Sequence, residues 1–186
     1  QEEMALQCPQ CKKVQLSPSK LETHRAGLNC QDCGGTLLDL VAYRLWKELH
    51  TGELNTESHL IEDPEQSIGA LSCPKCERIM LKFRYSSQSQ HRLDLCGHCD
   101  EAWLQEHEWE FLKSLDLHGD LPKIFTQPWQ RRLREEQAAQ TFEQQWDERL
   151  GPETHARVRE LNSWLHEHPQ RAALLDYLLA EDPYAV

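Results

Sequence analysis

Eight cysteines in four C-x-x-C pairs constrain this chain more than any other feature: Cys8 with Cys11, Cys30 with Cys33, Cys73 with Cys76, and Cys96 with Cys99. The first two pairs are separated by 18 residues and the last two by 19. A tetrahedral metal ion needs four soft donors. Each C-x-x-C turn supplies two of them from one short knuckle, and the residues between suit a hairpin that brings the second knuckle back to the first. The pattern predicts two Zn2+ ions, one per four-cysteine set. A rubredoxin-like iron site would use the same thiolates. A secreted disulfide framework is disfavoured, because disulfide domains of this cysteine count are shorter and less regular. Iron–sulfur clusters use other spacings, and a thioredoxin-like role for one pair fits poorly with four matched pairs. Thiols reserved for metal point to a reducing cytoplasm.

The two sets are copies of one unit. Shifted by 65 residues, Cys8-Pro9-Gln10-Cys11 falls on Cys73-Pro74-Lys75-Cys76, and Leu16 on Leu81. Shifted by 66, Cys30-Gln31-Asp32-Cys33 falls on Cys96-Gly97-His98-Cys99, Leu37-Leu38 on Trp103-Leu104, and Tyr43 on Trp109. Each unit reads knuckle, hairpin, knuckle, helix. Helical spacing of Leu40, Tyr43, Trp46 and Leu49 predicts a helix over 39–50, with Asp39 as its cap. Leu104, Phe111, Leu112 and Leu115 predict one over 104–115, with Glu108 as a polar gap. The aromatic residues read as packing. A ribbon this small buries little apolar surface, so a structural metal would supply on the order of 10 kcal/mol of its folding free energy.

The expected organisation is a first ribbon with its helix over 1–50, an acidic linker over 51–70, a second ribbon with its helix over 71–115, and an all-α region over 116–186. The linker holds five acidic residues and no Lys or Arg. In the last region, Pro128, Gly151-Pro152 and His168-Pro169 punctuate three helices of roughly 22, 16 and 12 residues, while Pro122 reads as part of a loop. The fold class is therefore α+β, small and metal-bound: two ribbons, each a β-hairpin plus helix, then about three helices.

The run Cys30-Gln31-Asp32-Cys33-Gly34-Gly35-Thr36-Leu37-Leu38-Asp39, preceded by Cys8-Pro9-Gln10-Cys11, resembles the TFIIB-type zinc-ribbon family found in bacterial proteins. That family reads C-P-x-C…C-x-x-C-x-G-x-W-L-D before a helix. Leu37 stands where the family has Trp. The second unit keeps Trp103-Leu104 but has Asp100-Glu101 in place of the glycines and Gln105 in place of Asp, so the turn after the second knuckle is expected to differ between the copies. The resemblance covers about half of the chain, residues 6–50 and 71–115. It implies structural zinc ribbons in a bacterial cytoplasmic setting. A name shared with a transcription factor does not transfer polymerase or promoter binding.

Composition then narrows the function. Four thiolates close each site, whereas a catalytic zinc keeps a position open. No phosphate-binding glycine loop, G-x-S-x-G or H-E-x-x-H occurs, so no enzyme activity is expected. His98 reads as an exposed knuckle residue, and Glu106, His107 and Glu108 point in different directions on a helix. The formal charge is −11, which opposes general binding to nucleic acid or anionic lipid. Lys82, Arg84, Tyr85 and Arg92 of the second hairpin are the candidate contacts, either for a single strand or for a partner. An apolar run long enough to span a membrane is absent from the sequence, and a secretory leader is not expected. The reading that results is an interaction or adaptor module with a basic protein as its partner, and the alternative is a nucleic-acid-binding ribbon that uses the basic hairpin.

Overall fold

Alternating side chains make the strands. Arg92-Leu93-Asp94-Leu95-Cys96 is the plainest case, with leucines to one face and Asp94 and Cys96 to the other. The computed structural model describes residues 6–22, 25–49 and 69–180, so the predicted linker over 51–70 lies outside the described residues except for Gly69 and Ala70. The first repeat forms strands β1 (Ser17–Glu22), β2 (Arg25–Asn29) and β3 (Thr36–Asp39), then helix α1 (Leu40–Leu49). The second forms β4 (Leu81–Arg84), β5 (Arg92–Cys96) and β6 (Glu101–Leu104), then α2 (Glu108–Ser114). A single 3-10 turn (His118–Asp120) leads into α3 (Leu121–Ile124), α4 (Gln127–Leu150), α5 (Pro152–Glu167) and α6 (Arg171–Leu179).

The strands do not make two separate ribbons. They form one six-stranded antiparallel sheet in the order β1-β2-β3-β6-β5-β4. A three-stranded ribbon leaves its third strand as an open edge of unpaired N–H and C=O groups. Here each copy closes the other's edge through the register Thr36↔Leu104, Leu37↔Trp103, Leu38↔Ala102 and Asp39↔Glu101. With the 66-residue offset between copies, Trp103 is the equivalent of Leu37. The central pair is therefore a residue facing its own counterpart, which is the signature of a local two-fold relation.

Each sheet face has its own core. Leu38, Leu93, Leu95, Ala102 and Leu104 face the helices and pack with Tyr43, Trp109, Leu112, Leu121 and Ile124. On this face a second pair of counterparts meets, with Tyr43 and Trp109 edge to face at 6.3 Å. Leu37 and Trp103 face the other way, toward the cysteines, with Leu16, Leu71 and Met80. Asp39 caps α1 as expected, its Oδ1 accepting from the N–H groups of Val41 at 2.8 Å and Ala42 at 3.0 Å.

Three local expectations are corrected. The counterpart of Leu16 is Met80 rather than Leu81: the Leu16 N–H donates to Leu6 and the Met80 N–H to Leu71. Both are buried while Leu81 is 60% exposed, because the first knuckle loop carries one residue more in the first copy. The second helix begins at Glu108, not 104. Leu104 is held in the sheet by Thr36, His107 takes φ 67°, and the buried Glu108 carboxylate accepts from the Gln105 N–H at 2.7 Å. The stretch read as a loop around Pro122 is a 3-10 turn plus α3. Pro122 stands in the first turn of α3, where its missing N–H costs nothing, and Leu121 and Ile124 are buried. Among the described residues, the C-terminal region thus has four helices beyond α2, where about three were expected.

The chain divides into two compact units, Gln1–Glu136 and Gln137–Val186. The first runs past the cysteine repeats, for Trp129 donates to the Tyr85 carbonyl and Gln130 to those of Arg84 and Ile124. Tyr43 and Lys47 of α1 likewise donate to the carbonyls of His118 and Gly119. In the second unit, His155 Nδ1 meets Asp147 at 2.7 Å, and Arg159 donates to Glu143 at 2.8 Å, joining α5 to the end of α4. No helix of the described residues is long and apolar enough to cross a membrane.

A Cβ on Gly35 would lie 2.2 Å from the Trp103 ring, while one on Gly97 would meet nothing within 4 Å. Gly35→Ala is expected to destabilise the first unit by about 1–3 kcal/mol and Gly97→Ala by less than about 0.5 kcal/mol, read as the difference in urea midpoint.

Candidate metal centres

Each knuckle is shaped by its backbone. In the first, the Lys12 N–H donates to the Cys8 carbonyl at 2.8 Å and the Cys11 N–H to Cys8 Sγ at 3.3 Å. Lys12 takes φ 62° and its counterpart Glu77 φ 61°. Such left-handed residues turn the chain sharply enough for both sulfurs to face one point. In the second knuckle, the Gly34 N–H donates to the Cys30 carbonyl and the Cys30 N–H to Gly35. Gly34 has φ 68° and its counterpart Asp100 φ 55°. The turn expected to differ between copies therefore keeps its left-handed residue, since Asp tolerates that region better than most residues.

The eight predicted ligands come together in two groups, Cys8, Cys11, Cys30 and Cys33, and Cys73, Cys76, Cys96 and Cys99, with all sulfurs of a group within 4.8 Å of one another. Cys8 and Cys33 are 3.6 Å apart, Cys11 and Cys30 3.9 Å, and Cys76 and Cys96 3.5 Å. Four thiolates around a metal at about 2.3 Å have edges of about 3.8 Å, so the donor sets fit a tetrahedral ion. All eight are free thiols. In both groups the first cysteine of each knuckle is buried and the second half-buried.

The thiols are unequal. Burial pushes Cys11 and Cys73 up to about 11, and the neighbouring Cys76 thiol pushes Cys99 up to about 12. The Arg78 N–H lowers Cys76 to about 7. Burial raises Cys30, but the N–H groups of Cys33 and Asp32 outweigh it and hold the thiol below its ordinary value. A bound cation overrides these differences, because coordination deprotonates a thiol outright. Lys75, inside the Cys73–Cys76 knuckle, bonds the buried Glu101 carboxylate. Burial alone would lower Lys75, but Glu101 holds the ammonium above its ordinary value. A cation is thus fixed beside a set that carries excess negative charge when loaded.

The candidate nucleic-acid contacts are largely committed inside the first unit. Lys82 pairs with buried Asp94 at 3.0 Å. The Arg84 guanidinium donates to the carbonyls of Ser87 and Ser89. Tyr85 is 1% exposed and packs edge to face on Phe111 at 6.1 Å. Arg92 is exposed at the start of β5. His98 is exposed outside its cysteine group, and Glu108 turns inward, away from Glu106 and His107. Sequence reasoning missed the Lys75–Glu101 and Lys82–Asp94 pairs. A carboxylate between two core leucines, as Asp94 is, was the available signal.

No protein-family profile, curated protein or solved structure matches this chain.

With metal in excess the chain is expected to take up two ions and Cys76→Ser one, counted by native mass spectrometry. Thiols that titrate near 11 and 12 hold their protons at neutral pH, so loading must displace them. Metal affinity is therefore expected to rise with pH, by about tenfold per pH unit for each proton displaced, measured by chelator competition at pH 6, 7 and 8.

Proposed function

We propose that this chain is a zinc-binding interaction module in which two closed, all-cysteine zinc sites hold the ribbons together and the acidic helical unit takes up a partner protein. Four thiolates in a tetrahedral set suit zinc, which brings no redox chemistry of its own. With four protein ligands there is no open position for a substrate, so the ions are structural and the reading assigns no catalytic residue. The kinship with TFIIB-type ribbons and a cytoplasmic location belong to the same proposal.

One observation carries the interaction reading. Among the described residues of the second unit, Leu165 is the sole buried apolar side chain, while Phe142, Val158, Leu161 and Trp164 are 57%, 47%, 44% and 50% exposed. Phe142, Trp146, Leu150, Val158, Leu161 and Leu165 line a groove of about 340 Å3 between α4 and α5. Helices of this length draw most of their stability from burying an apolar face, and an uncovered face marks a docking surface. Residues 137–186 hold nine acidic against four basic side chains, which favours a partner with a basic surface. The nucleic-acid alternative is weakened by the internal commitments of Lys82, Arg84 and Tyr85.

The test is capture of partners from lysate by the tagged full chain, with and without nuclease, beside the double variant Leu161→Ser with Trp164→Ser. Both positions are exposed, so circular dichroism should be unchanged. A protein that survives nuclease and falls about tenfold or more with the double variant is the expected result. Equal recovery by the variant, or nucleic acid that is lost with Arg84→Glu and Arg92→Glu, would overturn the proposal.

A further inference from the structure

The two cysteine groups do not have separate surroundings. Cys8 and Cys30 of one and Cys73 and Cys96 of the other belong to a single buried cluster with Leu37 and Trp103. Contacts cross between copies at the metal knuckles themselves. Trp103 lies in β6, the strand that follows the Cys96–Cys99 knuckle, yet its ring lies directly against Gly35, in the turn that closes the Cys30–Cys33 knuckle of the other copy. Gly34, in the same turn, is packed against the Glu106 side chain. In the opposite direction, the Leu40 N–H at the start of α1 donates at 2.9 Å to the carbonyl of Asp100, the residue after Cys99. Each knuckle therefore supports a segment that seats the other copy's knuckle.

We infer that the two sites load cooperatively, so that an ion in one raises the affinity of the other about tenfold, and that Trp103 is the residue that couples them. The inference rests on the tetrads holding zinc. Binding at Cys73, Cys76, Cys96 and Cys99 orders the knuckle from which β6 springs. That fixes Trp103, and the ring then holds the turn beneath it in the conformation that aims Cys30 and Cys33 at a common point. The reverse path runs from the first knuckle through β3 and α1 to Asp100. Metal binding and folding are one process in small metal domains, and a coupling between two sites is reciprocal by linkage. These packed segments provide the continuous contact that such coupling requires.

The test titrates the reduced, metal-free full chain with Zn2+ and counts bound ions by native mass spectrometry. Independent equal sites put about half of the molecules in the one-ion state at half saturation, and unequal independent sites put more there. A tenfold coupling lowers that population to about one quarter, which is the expected result. Trp103→Leu should still bind two ions at saturation, with the one-ion state returning to about half. In Cys76→Ser, the intact first tetrad should lose about tenfold in zinc affinity by competition with a chromophoric chelator, and Cys11→Ser should weaken the second tetrad by the same factor. A one-ion population of half or more in the parent chain, with unchanged affinity of the remaining tetrad in both cysteine variants, would overturn the coupling while leaving two zinc sites in place. Trp103→Leu loading identically to the parent would overturn the role of that residue. A chain that takes up no zinc at all would overturn the metal assignment itself.

Discussion

The pairing of β3 with β6 is the interaction on which the rest of the first unit depends. Hydrogen bonds along four residue pairs convert two three-stranded ribbons into one sheet, and the sheet then has two faces large enough to cover. One face takes the helices and the other takes the cysteine knuckles. Neither core would be continuous without the joint, because Leu38, Ala102 and Leu104 link the helix-side halves and Leu37 and Trp103 link the metal-side halves. Small metal domains ordinarily lean on their ion because they lack apolar surface to bury. Here the fusion adds a second source of stability, so an ion held by either cysteine group would not carry the fold alone.

Two carboxylates buried in the first unit are held by ion pairs. Glu101 receives Lys75 and Asp94 receives Lys82, each carboxylate nearly inaccessible and each lysine from a neighbouring strand or knuckle. A buried ion pair adds little net stability against an apolar substitute, but breaking one is costly, so both pairs fix the alignment of the chain more than they strengthen it. Lys82 and Asp94 face each other directly across β4 and β5, and a slip of one residue would separate them and turn the hairpin's leucines outward.

Much of this was legible in the residues. Eight cysteines in matched pairs, Asp39 before a helical stripe, and Gly151-Pro152 between two others each follow from chemistry acting over a few positions. What the sequence concealed was non-local. Leu104 fits a helical stripe as well as a strand, and the choice between them rests on Thr36, which lies 68 residues away. Pro122 carries the same signature in a loop as in a first helical turn, and the burial of Leu121 and Ile124 under the sheet decides it. The basic hairpin looked available because the sequence gives charges without their partners. Asp94 and the Ser87 and Ser89 carbonyls, supplied by the fold, engage Lys82 and Arg84, while Arg92 stays exposed.

The glycine pair after Cys33 and the tryptophan at 103 are two halves of one adjustment. Where the first copy has a glycine at 35, the second has a glutamate at 101, and where the first has a leucine at 37, the second has a tryptophan at 103. The large ring sits over the residue with no side chain, and the longer side chain shares a small cleft with the smaller apolar one. Two first copies brought together would leave a hollow at the centre, and two second copies would press ring against ring above a glutamate. The two halves fit each other as lock and key, so neither can be exchanged for its equivalent.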